Sequence, residues 1–106
     1  MPRQRDRVGW AEPALLILAS LADGPKHGYA ITKDVEEQTS IKLGPGTLYA
    51  AIARLEERGL VAPLDEDERR RPYRLTAQGQ TVLDDKLRAM ARFARTGLTR
   101  LGVANA

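Results

Sequence analysis

The stretch GPGTLYAAIARLEERGLV, residues 44–61, places three hydrogen-bond donors where one helix could present them together: the Thr47 hydroxyl, the Tyr49 phenol and the Arg54 guanidinium. Wound at about 100° per residue, Leu48, Ile52 and Leu55 fall in one narrow arc. The opposite arc holds Gly46, Thr47, Ala50, Ala53, Arg54 and Glu57, with Tyr49 on its flank. Such a face is small and uncharged in its middle and carries donors at its edges. It can lie close against another surface, and Thr, Tyr and Arg all donate to phosphates or base edges. The competing reading is that Ala50 and Ala53 pack on a neighbouring helix of the same domain.

The start of this helix adds to the first reading. Pro45 sits in the opening turn, where its missing N–H costs nothing. The free N–H groups and partial positive charge of a helix N-terminus suit an anion. Lys42 places a cation just ahead of it.

A second constellation follows at DEDERRRPYR, residues 65–74. Arg69, Arg70 and Arg71 at the tip of a hairpin could reach phosphates or enter a minor groove. They could equally pair with the acidic run from Asp65 to Glu68. Tyr73 alternates with Pro72 and Arg74 and reads as a packing residue.

Other chemistry finds little support. The single histidine, His27, has no Cys, carboxylate or second His spaced to share a metal, and reads as a cap or packing residue. Ser20 and Ser40 have no evident base partner, and no glycine-rich phosphate loop matches a known pattern. The expectation is a non-enzyme with no cofactor and no metal.

The elements that must position these groups can be read in order. Residues 1–9 form a basic arm with Arg3, Arg5 and Arg7, expected to be flexible. Pro13 opens a helix whose ALLILASLAD is apolar nearly all round, as in a helix buried on several sides. Asp23-Gly24-Pro25 stops it. A second helix is expected from about His27 to Thr39, with Ile31 and Val35 as its apolar stripe. The third, Pro45 to about Arg58, ends at Gly59. LVAPL and RPYRLT then flank the charged tip as two short strands. A last helix runs from Ala77 to about Leu101.

The last helix carries Leu83, Leu87, Met90, Ala94 and Leu101 at alternating four- and three-residue steps, with Gly97 in register. Val82, Phe93 and Leu98 widen the stripe. Too little domain remains to cover so long a face, so it is expected to meet a second copy of the chain. The alternative is that it folds back over the first helix.

Composition bounds the rest. The 106 residues are 42% hydrophobic and 29% charged, suiting one small domain that buries only about 65% of its unfolded surface. There is no cysteine, which excludes disulfides, thiolate chemistry and a zinc ribbon. No apolar run approaches the roughly 20 residues of a membrane span, and MPRQRDRVGW lacks the apolar core of a secretory signal. The cytoplasm is therefore expected, with no membrane partner. Net charge is +3 and the pI about 9.6, in the range of nucleic-acid-binding domains.

Three helices, a two-stranded ribbon and a long helix describe a mostly α chain with a small β-hairpin, a winged helix-turn-helix followed by a dimerisation helix. The expected division is an arm at 1–9, the winged domain at 10–76, and the dimerisation helix with its tail at 77–106.

HGYAI (27–31), GPGTLYAAIARLEERGLV (44–61) and RRPYRLTAQG (70–79), in this order and spacing, resemble the PadR family of bacterial winged-helix transcriptional regulators. The resemblance covers residues 12–101 and fits the short members with a single C-terminal helix. It implies a homodimer whose recognition helices bind double-stranded DNA at an inverted-repeat operator, usually as a repressor. It places Lys42, Pro45, Thr47, Tyr49, Ala50 and Arg54 at the DNA, and the wing arginines on its backbone. It also implies release by a small-molecule effector, for which Trp10 and Phe93 are the candidate aromatics. Trp10 could instead anchor the first helix to the last. The chain departs from the common pattern at Ala50, where many members have proline, and at Pro72. A reading from another class is a winged-helix protein-interaction module without specific DNA binding, supported by Glu56, Glu57 and the acidic run.

Overall fold

The structure, a computed structural model, describes residues 12–64 and 71–102. The element order is α1 (Pro13–Ser20), a 3₁₀ turn (Leu21–Asp23), α2 (Gly28–Thr39), α3 (Pro45–Glu57), β1 (Val61–Pro63), β2 (Tyr73–Leu75) and α4 (Ala77–Arg100). This is the expected mostly α winged helix-turn-helix with a two-stranded antiparallel hairpin. The arm at 1–9, Trp10, the acidic run Asp65–Glu68, Arg69 and Arg70 lie outside the described residues.

α1 is the hub. Leu15, Leu16, Ile17, Leu18 and Ser20 are all buried, as its all-round apolar sequence requires, and α2, α3 and α4 pack on it. Its last turn tightens to 3₁₀ geometry and stops at Gly24, whose φ of 144° suits glycine. The Ser20 hydroxyl is satisfied by donating to the Asp34 carboxylate at 2.7 Å.

α2 begins at Gly28, with His27 at the N-cap position. His27 is exposed and its side chain makes no capping bond, so it neither caps nor packs as expected. The helix ends at Ser40, left-handed at φ 67°, a position where glycine or asparagine is usual. Two bonds hold that end. The Ser40 N–H donates to the Glu36 carbonyl at 2.8 Å, and the Thr39 hydroxyl accepts from the Ile41 N–H at 3.0 Å. Leu43, in the connection to α3, is buried in the core.

α3 ends in the geometry that Gly59 predicts. With Gly59 at φ 76°, its N–H donates to the Glu56 carbonyl and the Leu60 N–H reaches back to the Leu55 carbonyl. This is a Schellman motif, and buried Leu55 and Leu60 supply its hydrophobic contact.

The hairpin pairs Val61 with Leu75, Ala62 with Arg74 and Pro63 with Tyr73. A third extended residue joins it: Lys26 and Tyr73 exchange both backbone hydrogen bonds, at 3.1 and 2.9 Å. Tyr73 therefore turns its N–H and C=O away from β1. The opposed Pro63 occupies a position whose N–H would face outward in any case, so its ring costs no ladder bond. Pro72 still contributes its carbonyl, accepting from the Leu64 N–H at 2.8 Å.

α4 starts at Thr76, whose hydroxyl caps the Gly79 N–H. Its early residues belong to the shared core: Leu83 is 4% exposed, and Val82 and Met90 pack on the core's edge. From Ala91 to Gly102 every residue is exposed.

Candidate nucleic-acid interface

α3 buries Leu48, Ala51, Ile52 and Leu55. Pro45, Gly46, Thr47, Tyr49, Ala50, Ala53, Arg54 and Glu57 are exposed. Ala50 and Ala53 therefore do not pack on a neighbouring helix of the domain. They form the shallow middle of a face edged by Thr47, Tyr49 and Arg54. Ala51, adjacent in sequence, belongs to the core; on the winding it falls about 40° beyond Leu55, at the edge of the three-residue stripe.

The N-terminus of α3 projects outward. Gly44, Pro45 and Gly46 are exposed, nothing lies within 4 Å of a Cβ built at either glycine, and no side chain caps the first turn. The backbone there is open to an anion's approach. Lys42 is exposed beside it, its ammonium 3.8 Å from Glu36.

Tyr49 is fixed from below. It is 50% exposed, and its ring and hydroxyl lie so close to Gly28 that a Cβ on that residue would overlap them. Gly28 is thus the residue that lets the first turn of α2 pass under the tyrosine.

Two groups on α2 were not among the expected site residues. Tyr29 is 73% exposed, and the Lys33 ammonium stands 5.9 Å from its ring centre. Together with Thr32, Glu36 and Glu37 they line an open groove of about 460 Å³. The signal available was the tyrosine in HGYAI, which a helix wheel puts off the Ile31–Val35 stripe.

Of the wing arginines, Arg71 is described. It is half-buried, and its Nε has no hydrogen-bond partner among the described residues. On α4, Leu87, Phe93, Ala94, Leu98 and Leu101 are exposed. Leu83, grouped with them by periodicity, is instead spent inside the protomer, and Met90 is partly covered there. Phe93 stands in the open, and no group of three or more His, Cys, Asp or Glu residues able to hold a metal occurs among the described residues.

Residues 17–85 match the Transcriptional regulator PadR-like family. The chain belongs to the PadR-like family of transcriptional regulators. It is 34% identical over 84 residues to the transcriptional regulator Rv3488 of Mycobacterium tuberculosis, covering 76% of this chain and 78% of that protein. It is 49% identical over 80 residues to an uncharacterized 37.1 kDa protein in transposon TN4556 of Streptomyces fradiae, spanning 76% of this chain but 23% of that protein's length. Among solved structures, a PadR family transcription regulator from Clostridium difficile superposes with a TM-score of 0.72 at 28% identity, over 88% of this chain and 98% of that one.

Family membership makes the protein a PadR-like transcriptional regulator with the winged-helix fold of its relatives. No helix among the described residues is long and apolar enough to cross a membrane.

Proposed function

We propose that this PadR-like regulator is a homodimeric repressor that binds an inverted-repeat operator in double-stranded DNA. The observation that carries the reading is the exposed face of α3. An uncapped, outward-pointing N-terminus leads into a strip of Gly46, Ala50 and Ala53 bordered by Thr47, Tyr49 and Arg54. Small residues admit the helix to a major groove, and the bordering donors suit phosphates and base edges. Lys42 and the wing arginines Arg69, Arg70 and Arg71 would hold the backbone on either side, with Pro45 at the DNA surface.

Dimerisation is assigned to the exposed part of α4. Leu87, Ala94, Leu98 and Leu101 share one side of a stretch that no other described residue buries, Phe93 flanks them, and Ala94 and Gly97 permit close approach. An effector in this arrangement would stack on Phe93 beside the paired helices. A protein-interaction module without DNA specificity is the contrasting outcome.

Selection of bound duplexes from genomic fragments around the gene tests the reading. A single inverted repeat, bound with steep salt dependence, is expected. Equal affinity for random duplexes, all lost at moderate salt, would overturn it.

A further inference from the structure

Thr76 stands where α3, the hairpin and α4 meet. Its hydroxyl donates to the Gly59 carbonyl at 2.7 Å and accepts from the Gly79 N–H at 2.9 Å. Its own N–H donates to the Leu60 carbonyl at 3.1 Å, and its carbonyl accepts from Gln80 at 2.9 Å. One side chain thus joins the turn that ends α3 to the first turn of α4. Beside it Gly79 is buried, and a Cβ there would run into the Leu60 carbonyl. The α4 backbone lies directly on the α3–β1 turn.

This junction is the polar half of α4's attachment. The apolar half is Leu83 in the core, with Val82 and Met90 at its edge. Beyond Met90 no residue of the helix is buried by the other described residues. Packing of Leu83, Val82 and Met90 sets where α4 lies, and the hydrogen bonds at its start, which weaken steeply as their angles open, constrain its direction further. Among these contacts, the bonds made by Thr76 are the ones that join α4 directly to the turn ending α3.

We propose that Thr76 is a positioning residue that fixes the angle between α4 and the recognition helix, and so sets the half-site spacing a pair of protomers reads. This rests on the DNA-binding dimer proposed above. Two helices paired along α4 present their recognition helices wherever the α3–α4 angle directs them. Each base pair inserted between half-sites moves one of them by about 3.4 Å and turns it by roughly 35°. A tightly held angle tolerates neither change.

The test measures the full chain on its selected operator and on duplexes with one base pair inserted or removed between the half-sites. The wild type is expected to lose about tenfold in affinity on the altered duplexes. Thr76→Val keeps the shape and removes both hydroxyl bonds. Thr76→Asp can still cap α4 but cannot donate to Gly59. Gly79→Ala favours the helix yet pushes it off the Leu60 carbonyl. Each is expected to cut the spacing penalty to about threefold or to move the preferred spacing by a base pair, while Thr76→Ser keeps the wild-type pattern. Asp and Ala variants guard against a Val variant that does not fold. Variants that lower the melting temperature or overall affinity with the spacing penalty unchanged would show a merely structural Thr76 and sink the proposal. A wild type that binds no duplex preferentially overturns the DNA reading itself, a different result from spacing-insensitive variants of a specific binder.

Discussion

Gly28, the first residue of α2, lies directly beneath the ring and hydroxyl of Tyr49 on α3, with no room between them for a Cβ. The contact ties the tyrosine at the edge of the exposed face to the first turn of α2. A methyl at residue 28 must displace Tyr49, and because the phenol is half-exposed it can swing outward. Gly28→Ala is expected to change stability by no more than about 1 kcal/mol while lowering operator affinity severalfold. Urea melts and binding isotherms on the same samples separate the two effects. Unchanged affinity would remove Tyr49 from the interface.

The exposed face of α3 should be energetically silent without DNA. Thr47→Ala and Arg54→Ala are expected to move folding stability by under about 0.5 kcal/mol. On operator DNA each should cost about 1–3 kcal/mol if it reads a base, or lower the log–log salt slope by about one if it holds a phosphate. By contrast Ile52→Ala, on the buried side of the same helix, should cost about 2–5 kcal/mol of folding. Salt titrations of the two surface variants decide which role each plays.

The stripe on α4 divides into residues that hold the domain and residues left for a partner. Leu83→Ala should destabilise each protomer by about 2–5 kcal/mol. Phe93→Glu and Leu98→Glu, at exposed positions, should leave the melting transition of a protomer near its original place. They should raise the dimer Kd by about 10- to 100-fold. Sedimentation across a concentration series measures this. Unchanged association by both variants would place the dimer contact elsewhere.

Asp23 supplies a pH dependence. The Lys26 ammonium donates to its carboxylate and adds its charge, holding the Asp23 carboxyl below its ordinary value. A depressed folded-state pKa stabilises the fold above the unfolded value, near 4, and that gain is lost as pH falls through the folded value. Lys26 is also the residue whose backbone pairs with Tyr73. The melting temperature of the wild type should exceed that of Asp23→Asn by a constant small margin from about pH 7 to 5, a margin lost as pH falls through the depressed folded-state value. The pair is exposed and the margin small. A margin that persisted at low pH would mean the asparagine acts through something other than charge.

Elements written in local chemistry were legible in the sequence. Pro13 and Pro45 mark helix starts, and Gly59 marks the end of α3. The exposed and buried sides of α3 follow from winding alone, except that Ala51, too small to weigh in a stripe, was passed over. What was not legible depends on residues distant in sequence. Lys26 pairs with Tyr73 across an interval that no period spans, and Gly28 meets Tyr49 only once α2 and α3 are packed. Ser40 takes a left-handed conformation without the glycine that would announce it. Periodicity joined Leu83 to Leu98 in one stripe, yet it cannot tell which part of a long face its own domain will cover.

Pro63 has a consequence for how the chain behaves at high concentration. It sits at the end of β1 with its nitrogen toward the outer edge, where an unpaired strand would otherwise offer a donor to any passing chain. On the other side of the hairpin, Lys26 already occupies β2 through Tyr73. Proline on one border and Lys26 on the other each close one backbone position at which a further strand could add to the hairpin. Edge-to-edge pairing between copies of the protein at high concentration is disfavoured at both positions.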